Sequence, residues 1–184
     1  MPDPGGLRVG SGGSTVHCLL QILDLELGAR RDKSARLDHK AWVETFSRLR
    51  SLIVHAGGDS RRLPPYGPCG KIFVPVPGES GGALGTTLFD RLIPTYQRLP
   101  LPPSGSGQVV VASGDVLLDF DAATVVFSEK GITGVGALVS PDVAKNHGVY
   151  SRREDGVVRR FLQKPSVAKQ MKVGASGPHG RSIL

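Results

Sequence analysis

Leu52 to Lys71 read LIVHAGGDSRRLPPYGPCGK, the stretch of this 184-residue chain that holds the most chemistry. A short apolar run empties into Gly57 and Gly58, whose backbone N–H groups can approach a phosphate with no Cβ in the way. Ser60 follows, then the guanidinium groups of Arg61 and Arg62, and the Lys71 ammonium arrives after the loop has come round. Amides, guanidinium and ammonium together suit a nucleoside triphosphate, which is a concentrated anion. A solvated turn with incidental basic residues accounts for the same letters. Short glycine loops are common enough that the residues alone balance the two readings.

Two other phosphate loops are excluded. A P-loop needs G-x-x-x-x-G-K-[ST], whereas Pro65 holds the first glycine position ahead of Gly70-Lys71 and Ile72 follows them. The run from Gly10 to Thr15, GSGGST, matches a dinucleotide fingerprint only loosely, without the third glycine or an apolar strand before it. Gly12 and Gly13 could still present N–H groups at the start of the next helix, where the dipole favours an anion. A flexible lead-in is the equal alternative.

The elements that must position these groups alternate between helical and extended patterns. Ser14 or Thr15 can cap a helix whose apolar stripe is Val16, Leu19, Leu20, Leu23 and Leu27, with Gly28 placed to end it. Residues 29–50 are charged and weakly periodic and receive no assignment. Leu52-Ile53-Val54 predicts a buried strand, and Val109-Val110-Val111 a second one ending at Ser113-Gly114-Asp115. Between them, Thr86 or Thr87 can cap a helix with Leu88, Leu92 and Tyr96 on one face and a kink at Pro94. Residues 134–139 suggest a third strand, and residues 148–150 and 157–162 flank a Glu154-Asp155-Gly156 hairpin turn. Buried strands separated by helices indicate an α/β protein with a mixed, mainly parallel sheet. The glycine-rich tail from Gly174 reads as an arbitrary end rather than a finished domain.

Composition narrows the partners. With 39% hydrophobic and 21% charged residues, the chain falls among globular proteins and has room for one domain. A net charge of +7 favours an anionic partner. Nucleic acid is not expected, because aromatics are only 5% and no RRM, KH or zinc-finger pattern is present. Cys18 and Cys69 have no metal-ligand spacing, and no Ser/His/Asp or Cys/His arrangement suggests covalent catalysis. No apolar segment approaches the length of a membrane span, so a cytoplasmic protein with no membrane partner is the expectation.

Five segments occur in an order that resembles the GDP-L-fucose pyrophosphorylase branch of the sugar nucleotidyltransferases: RVGSGGSTVHCLL, HAGGDSRRLPPYGPCGK, ASGDV, SPDVAKNHGVY and FLQKPS. The likeness runs from about Arg8 to Ser166. It implies a Rossmann-like sheet of the sugar nucleotidyltransferase type, and a chain corresponding to the N-terminal part of that domain. Later strands and any fucokinase domain, to which such domains are often fused, would then lie outside it. The implied reaction joins GTP and L-fucose 1-phosphate to give GDP-L-fucose and pyrophosphate, with Mg²⁺ as cofactor. Arg61, Arg62 and Lys71 would be catalytic, and Gly12, Gly13, Gly57, Gly58 and Ser60 would bind the nucleotide. Asp115, at the end of an apparent parallel strand, would hold the metal, and a turn cap is its plain alternative. His147, Gly148 and Lys164 would meet the sugar phosphate, although on the residues alone a structural His and an ordinary strand-end Lys are the readier explanations. A different base or sugar, or a non-catalytic nucleotide-binding fragment, remains open on the residues alone.

Overall fold

The computed structural model describes residues 3–28, 38–56, 64–66, 70–76, 85–129 and 131–184. The chain divides into two units, Met1–Gly131 and Ile132–Leu184.

In the first unit the LIV and VVV runs form β1 (Arg50–His55) and β2 (Gln108–Ser113), paired in parallel with Ile53 opposite Val111 and His55 opposite Ser113. Three helices accompany them: α1 (Gly10–Gly28), α2 (His39–Arg48) and α3 (Leu88–Gln97). The α3 cap is a full capping box: the Thr87 hydroxyl accepts from the Asp90 N–H, and the Asp90 carboxylate accepts from the Thr87 N–H at 2.9 Å. Leu92, Tyr96 and Leu99 then pack with Ala122 against Val110 and Ala112 of β2 and the segment from Leu118 to Phe127. Pro94 lies within α3.

Three expectations change here. The continuous apolar runs predicted buried strands; Ile53 is buried and Val110 and Ala112 pack against the first core, whereas Leu52, Val109 and Val111 are exposed. Side chains alternate across a strand and parallel partners share a face, so Ile53 lies on the Val111 side and Val110 and Ala112 on the other, and each face also carries an exposed apolar residue. The first helix begins at Gly10, ahead of the expected caps. Ser14 instead donates to Asp3 at 2.5 Å, and Thr15 donates back to the Ser11 carbonyl at 2.9 Å. Residues 39–48, unassigned in the sequence, form α2, whose Asp38 side chain caps the Lys40 N–H at 2.9 Å.

The second unit is built on an antiparallel sheet with strand order β3-β6-β4-β5, where β3 is Leu138–Val139, β4 Gly148–Arg152, β5 Val158–Gln163 and β6 Ser182–Ile183. The hairpin turn is where the sequence placed it; Asp155 accepts from the Val157 N–H at 3.0 Å. The third strand keeps only two of its expected residues. The glycine-rich tail supplies β6, an inner strand of the sheet. Two short helices, α4 (Pro141–Ala144) and α5 (Val167–Lys172), complete the unit. The architecture is therefore mixed α/β, but antiparallel pairings outnumber parallel ones among the described strands, contrary to the mainly parallel sheet expected. For β4 and β5 the reason is local: strands joined by a tight turn pair antiparallel, because a parallel pair needs a long crossover. No described helix is long and apolar enough to cross a membrane.

Leu92 is fully buried at the centre of the first core. Leu92→Ala should lower unfolding free energy by about 2–5 kcal/mol, read from urea denaturation, and a smaller loss would mean that α3 is loosely seated.

Candidate functional site

At the carboxyl ends of β1 and β2 two glycines crowd onto the same piece of backbone. The Gly114 N–H donates to the His55 carbonyl at 2.9 Å, and a Cβ at Gly114 would lie 3.0 Å from that oxygen and 3.2 Å from the Ala56 Cα. Gly70, at φ +78°, brings the chain back so that a Cβ there would lie 3.1 Å from the Ala56 carbonyl oxygen. Each glycine is followed by a charged residue, and the shared contact sets the two side by side. Lys71 Nζ is 3.3 Å from Asp115 Oδ2, and the Ser113 hydroxyl donates to Asp115 Oδ1 at 2.7 Å.

Lys71 is fixed from its other side as well. It opens a 3-10 turn, Lys71–Phe73, in which Ile72 is buried. The chain then bridges to the start of α3: the Val76 N–H donates to the Thr86 carbonyl at 2.9 Å and the Leu88 N–H to the Val74 carbonyl at 3.2 Å. The capping box of α3 thus helps to place the lysine.

The Ser113 hydroxyl is the largest influence on the Asp115 carboxyl and, with the Lys71 ammonium, holds its pKa below the ordinary aspartate value of 3.8, against the opposing pull of partial burial. Both side chains of the pair are roughly half exposed, so the ion pair adds little to stability. Its weight is chemical: an ammonium and an ionised carboxylate stand together where open α/β sheets bind ligands. The described residues hold no group of three or more His, Cys, Asp or Glu able to cage a metal. Asp115 is a single carboxylate with about half of its roughly four acceptor positions used. That donor set fits Mg²⁺, which typically takes one or two carboxylates and completes its shell with water and substrate phosphates.

One more side chain meets this strand end. Thr15 Oγ1 of α1 lies 2.8 Å from Nε2 of His55, the last residue of β1.

In the second unit His147, Gly148 and Lys164 come together at one end of the β4–β5 hairpin. The Lys164 N–H donates to the His147 carbonyl at 2.9 Å, and Gly148 pairs with Gln163. A side chain at position 148 would meet the Phe161 ring, with a Cβ only 2.3 Å from Cζ. Lys164 itself adopts φ +46°, a left-handed conformation uncommon for a residue with a Cβ and found more often at functional sites. Behind it, the buried Gln170 amide donates to the Pro141 and Pro165 carbonyls, each at 3.0 Å, and accepts from Ser182 at 2.7 Å. Every polar atom of that side chain is satisfied, which ties the segment after Lys164 to β6.

Residues 43–184 match the fucose pyrophosphorylase domain. The chain belongs to that family. It is 33% identical over 172 residues to an L-fucokinase/L-fucose-1-P guanylyltransferase of Bacteroides fragilis, covering 91% of this chain and 17% of that protein. It is 31% identical over 202 residues to a bifunctional fucokinase/GDP-fucose pyrophosphorylase of Arabidopsis thaliana, covering 100% of this chain and 19% of the relative. A fucose-1-phosphate guanylyltransferase of Mus musculus is 28% identical over 189 residues, 95% of this chain and 28% of its own. The chain thus spans between about a sixth and somewhat over a quarter of these relatives. No solved structure matches it.

Within this fucose pyrophosphorylase domain, the structure places Lys71 and Asp115 together, and His147, Gly148 and Lys164 together, each set in its own unit. Gly12 and Gly13 lie within the first turn of α1, which begins at Gly10, rather than ahead of it. Gly57, Gly58, Ser60, Arg61 and Arg62 lie outside the described residues. Asp121, six residues after Asp115, caps a 3-10 turn by accepting from the Ala123 N–H at 3.2 Å. Sequence reasoning missed Ser113, His55 and Thr15. Ser113 carried a usable signal, a hydroxyl two residues before the candidate ligand, whereas the Thr15–His55 pair spans 40 residues and had none.

A carboxyl whose folded pKa is lowered stabilises the fold above its unfolded value, and that contribution disappears as pH falls through the folded value. Ser113→Ala removes the largest cause, so the Asp115 pKa should rise toward 3.8 and its protonation should begin at higher pH on acidification. A ¹³C titration of the Asp115 carboxyl measures this directly, and an unchanged midpoint would remove Ser113 from the role.

Proposed function

We propose that this chain supplies the nucleotide site and sugar-phosphate contacts of an enzyme that forms GDP-L-fucose and pyrophosphate from GTP and L-fucose 1-phosphate. The observation that carries this reading is the Lys71–Asp115 pair, held at the ends of two parallel strands by Gly70 and Gly114. The relatives' names supply the substrates: fucose 1-phosphate and a guanylyl group in one, GDP-fucose in another. On this reading β1 and β2 belong to a Rossmann-like sheet of the sugar nucleotidyltransferase type.

In that reaction a phosphate oxygen of the sugar 1-phosphate attacks the α-phosphorus of GTP and pyrophosphate leaves. The nucleophile is already an anion, so no strong general base is required. The obstacles are repulsion between two polyanions and the charge that builds on the leaving group, which positioned cations offset. Lys71 would turn from Asp115 to the triphosphate, with Arg61 and Arg62 beside it in sequence and the amides of Gly12, Gly13, Gly57 and Gly58 and the Ser60 hydroxyl completing the cradle. Asp115 would hold Mg²⁺, which when bound supplies charge neutralisation to the phosphate oxygens. Lys164 would take the acceptor phosphate, with His147 and Gly148 alongside the sugar. Residues 132–184 support an anion there: they hold nine Lys or Arg and three Asp or Glu, most of the chain's excess of +7. A cytoplasmic setting, where GTP is available, and association with a fucokinase activity complete the proposal.

Isothermal titration of the chain with each of GTP, ATP, UTP and CTP in the presence of Mg²⁺ tests it. GTP should bind most tightly, and Asp115→Asn should weaken the dependence on Mg²⁺. Equal affinity for all four nucleotides, or none, would contradict the reading. In an assay of pyrophosphate release with L-fucose 1-phosphate, Lys71→Ala should lower turnover on the order of 10²–10³-fold, by analogy with loss of one oxyanion donor. Undiminished turnover would remove Lys71 from the site.

A further inference from the structure

The His55–Ala56 backbone is the surface on which both site-bearing glycines rest. Gly114 donates to the His55 carbonyl, and Gly70 packs against the Ala56 carbonyl. Whatever fixes that dipeptide therefore fixes the spacing of Lys71 and Asp115. Along β1 the ladder to β2 does so from one side, ending with the His55–Ser113 pair. The His55 side chain meets a different element, α1, through Thr15 at 2.8 Å.

The direction of that hydrogen bond depends on the His55 tautomer. A threonine hydroxyl has one hydrogen, and Thr15 donates it to the Ser11 carbonyl at 2.9 Å. With that hydrogen on Ser11, the oxygen accepts from His55 in the tautomer that protonates Nε2. In that tautomer the ring donates to the hydroxyl, and the contact keeps the ring on α1 while the His55 carbonyl faces Gly114.

We infer that His55 is a positioning residue of the nucleotide site: by donating Nε2–H to Thr15 it anchors the His55–Ala56 backbone to α1, and so holds Gly70 and Gly114, and with them Lys71 and Asp115, at the spacing that receives a triphosphate. This rests on the nucleotide reading given above. His55 makes no chemical step of its own, and its effect passes through the two glycines.

A double-mutant cycle in the 184-residue chain, read as Kd for GTP with Mg²⁺, tests the inference. Thr15→Val and His55→Ala should each weaken GTP binding about tenfold, the loss expected for roughly one hydrogen bond. The double variant should be no weaker than either single, because the two residues act as one contact. His55→Gln, whose amide N–H can replace the Nε2 donor, should return most of the affinity. A purely structural role would instead lower the melting temperature in step with affinity, without rescue by glutamine. Unchanged affinity in His55→Ala, additive losses, or a glutamine variant as weak as the alanine one would overturn the inference while leaving the nucleotide reading intact. Failure of the unaltered chain to bind GTP would overturn the nucleotide reading, and this inference with it.

Discussion

Close packing of two glycines against one dipeptide governs the first unit. Gly114 and Gly70 approach His55 and Ala56 so nearly that a Cβ on either would sit at 3.0–3.1 Å from a backbone oxygen. Each glycine is one residue from a charged side chain, so the backbone contact becomes a functional one. Lys71 and Asp115, 44 residues apart in sequence, face each other because their glycines touch the same strand end. The parallel β1–β2 ladder sets the height of that end, and hydrogen bonds from residues 74–76 to the capped start of α3 hold the segment after Lys71. An alanine at Gly70 would also have to adopt φ +78°, so the position is constrained by conformation as well as by space.

The second unit reaches a comparable result by other means. Its hairpin gathers His147, Gly148 and Lys164, and a satisfied polar side chain, Gln170, rather than an apolar plug, holds the segment behind Lys164. Burying an amide costs free energy unless every donor and acceptor finds a partner, and here three do. The left-handed backbone at Lys164 is maintained within that framework.

Much of this was legible in the sequence where signals are local. The β-branched runs at 52–54 and 109–111 announced β1 and β2, Thr87 announced the cap of α3, and Glu154-Asp155-Gly156 announced the hairpin. Signals that depend on distant partners were not legible. Helix α2 was missed because its stripe is interrupted by charges, and the one clear mark, Asp38 as N-cap, stands at the edge of a charged stretch. Strand β6 has two residues, and its place rests on partners in β3 and β4 and on the Ser182–Gln170 bond, none of which can be read from a glycine-rich tail. In the site, the sequence offered Lys71 and Asp115 as separate candidates. Their juxtaposition came from close backbone approach, and the orienting hydroxyl of Ser113 from a turn whose geometry the letters SGD leave open.

A crystal structure of the chain soaked with GTP and Mg²⁺ would test the central claim most directly, since it reports where the phosphates go rather than whether they bind. The account predicts triphosphate density at the ends of β1 and β2, with Lys71 turned from Asp115 onto the phosphates and the Asp115 carboxylate on the metal. Nucleotide found elsewhere on the molecule, with the Lys71–Asp115 pair still closed, would contradict it.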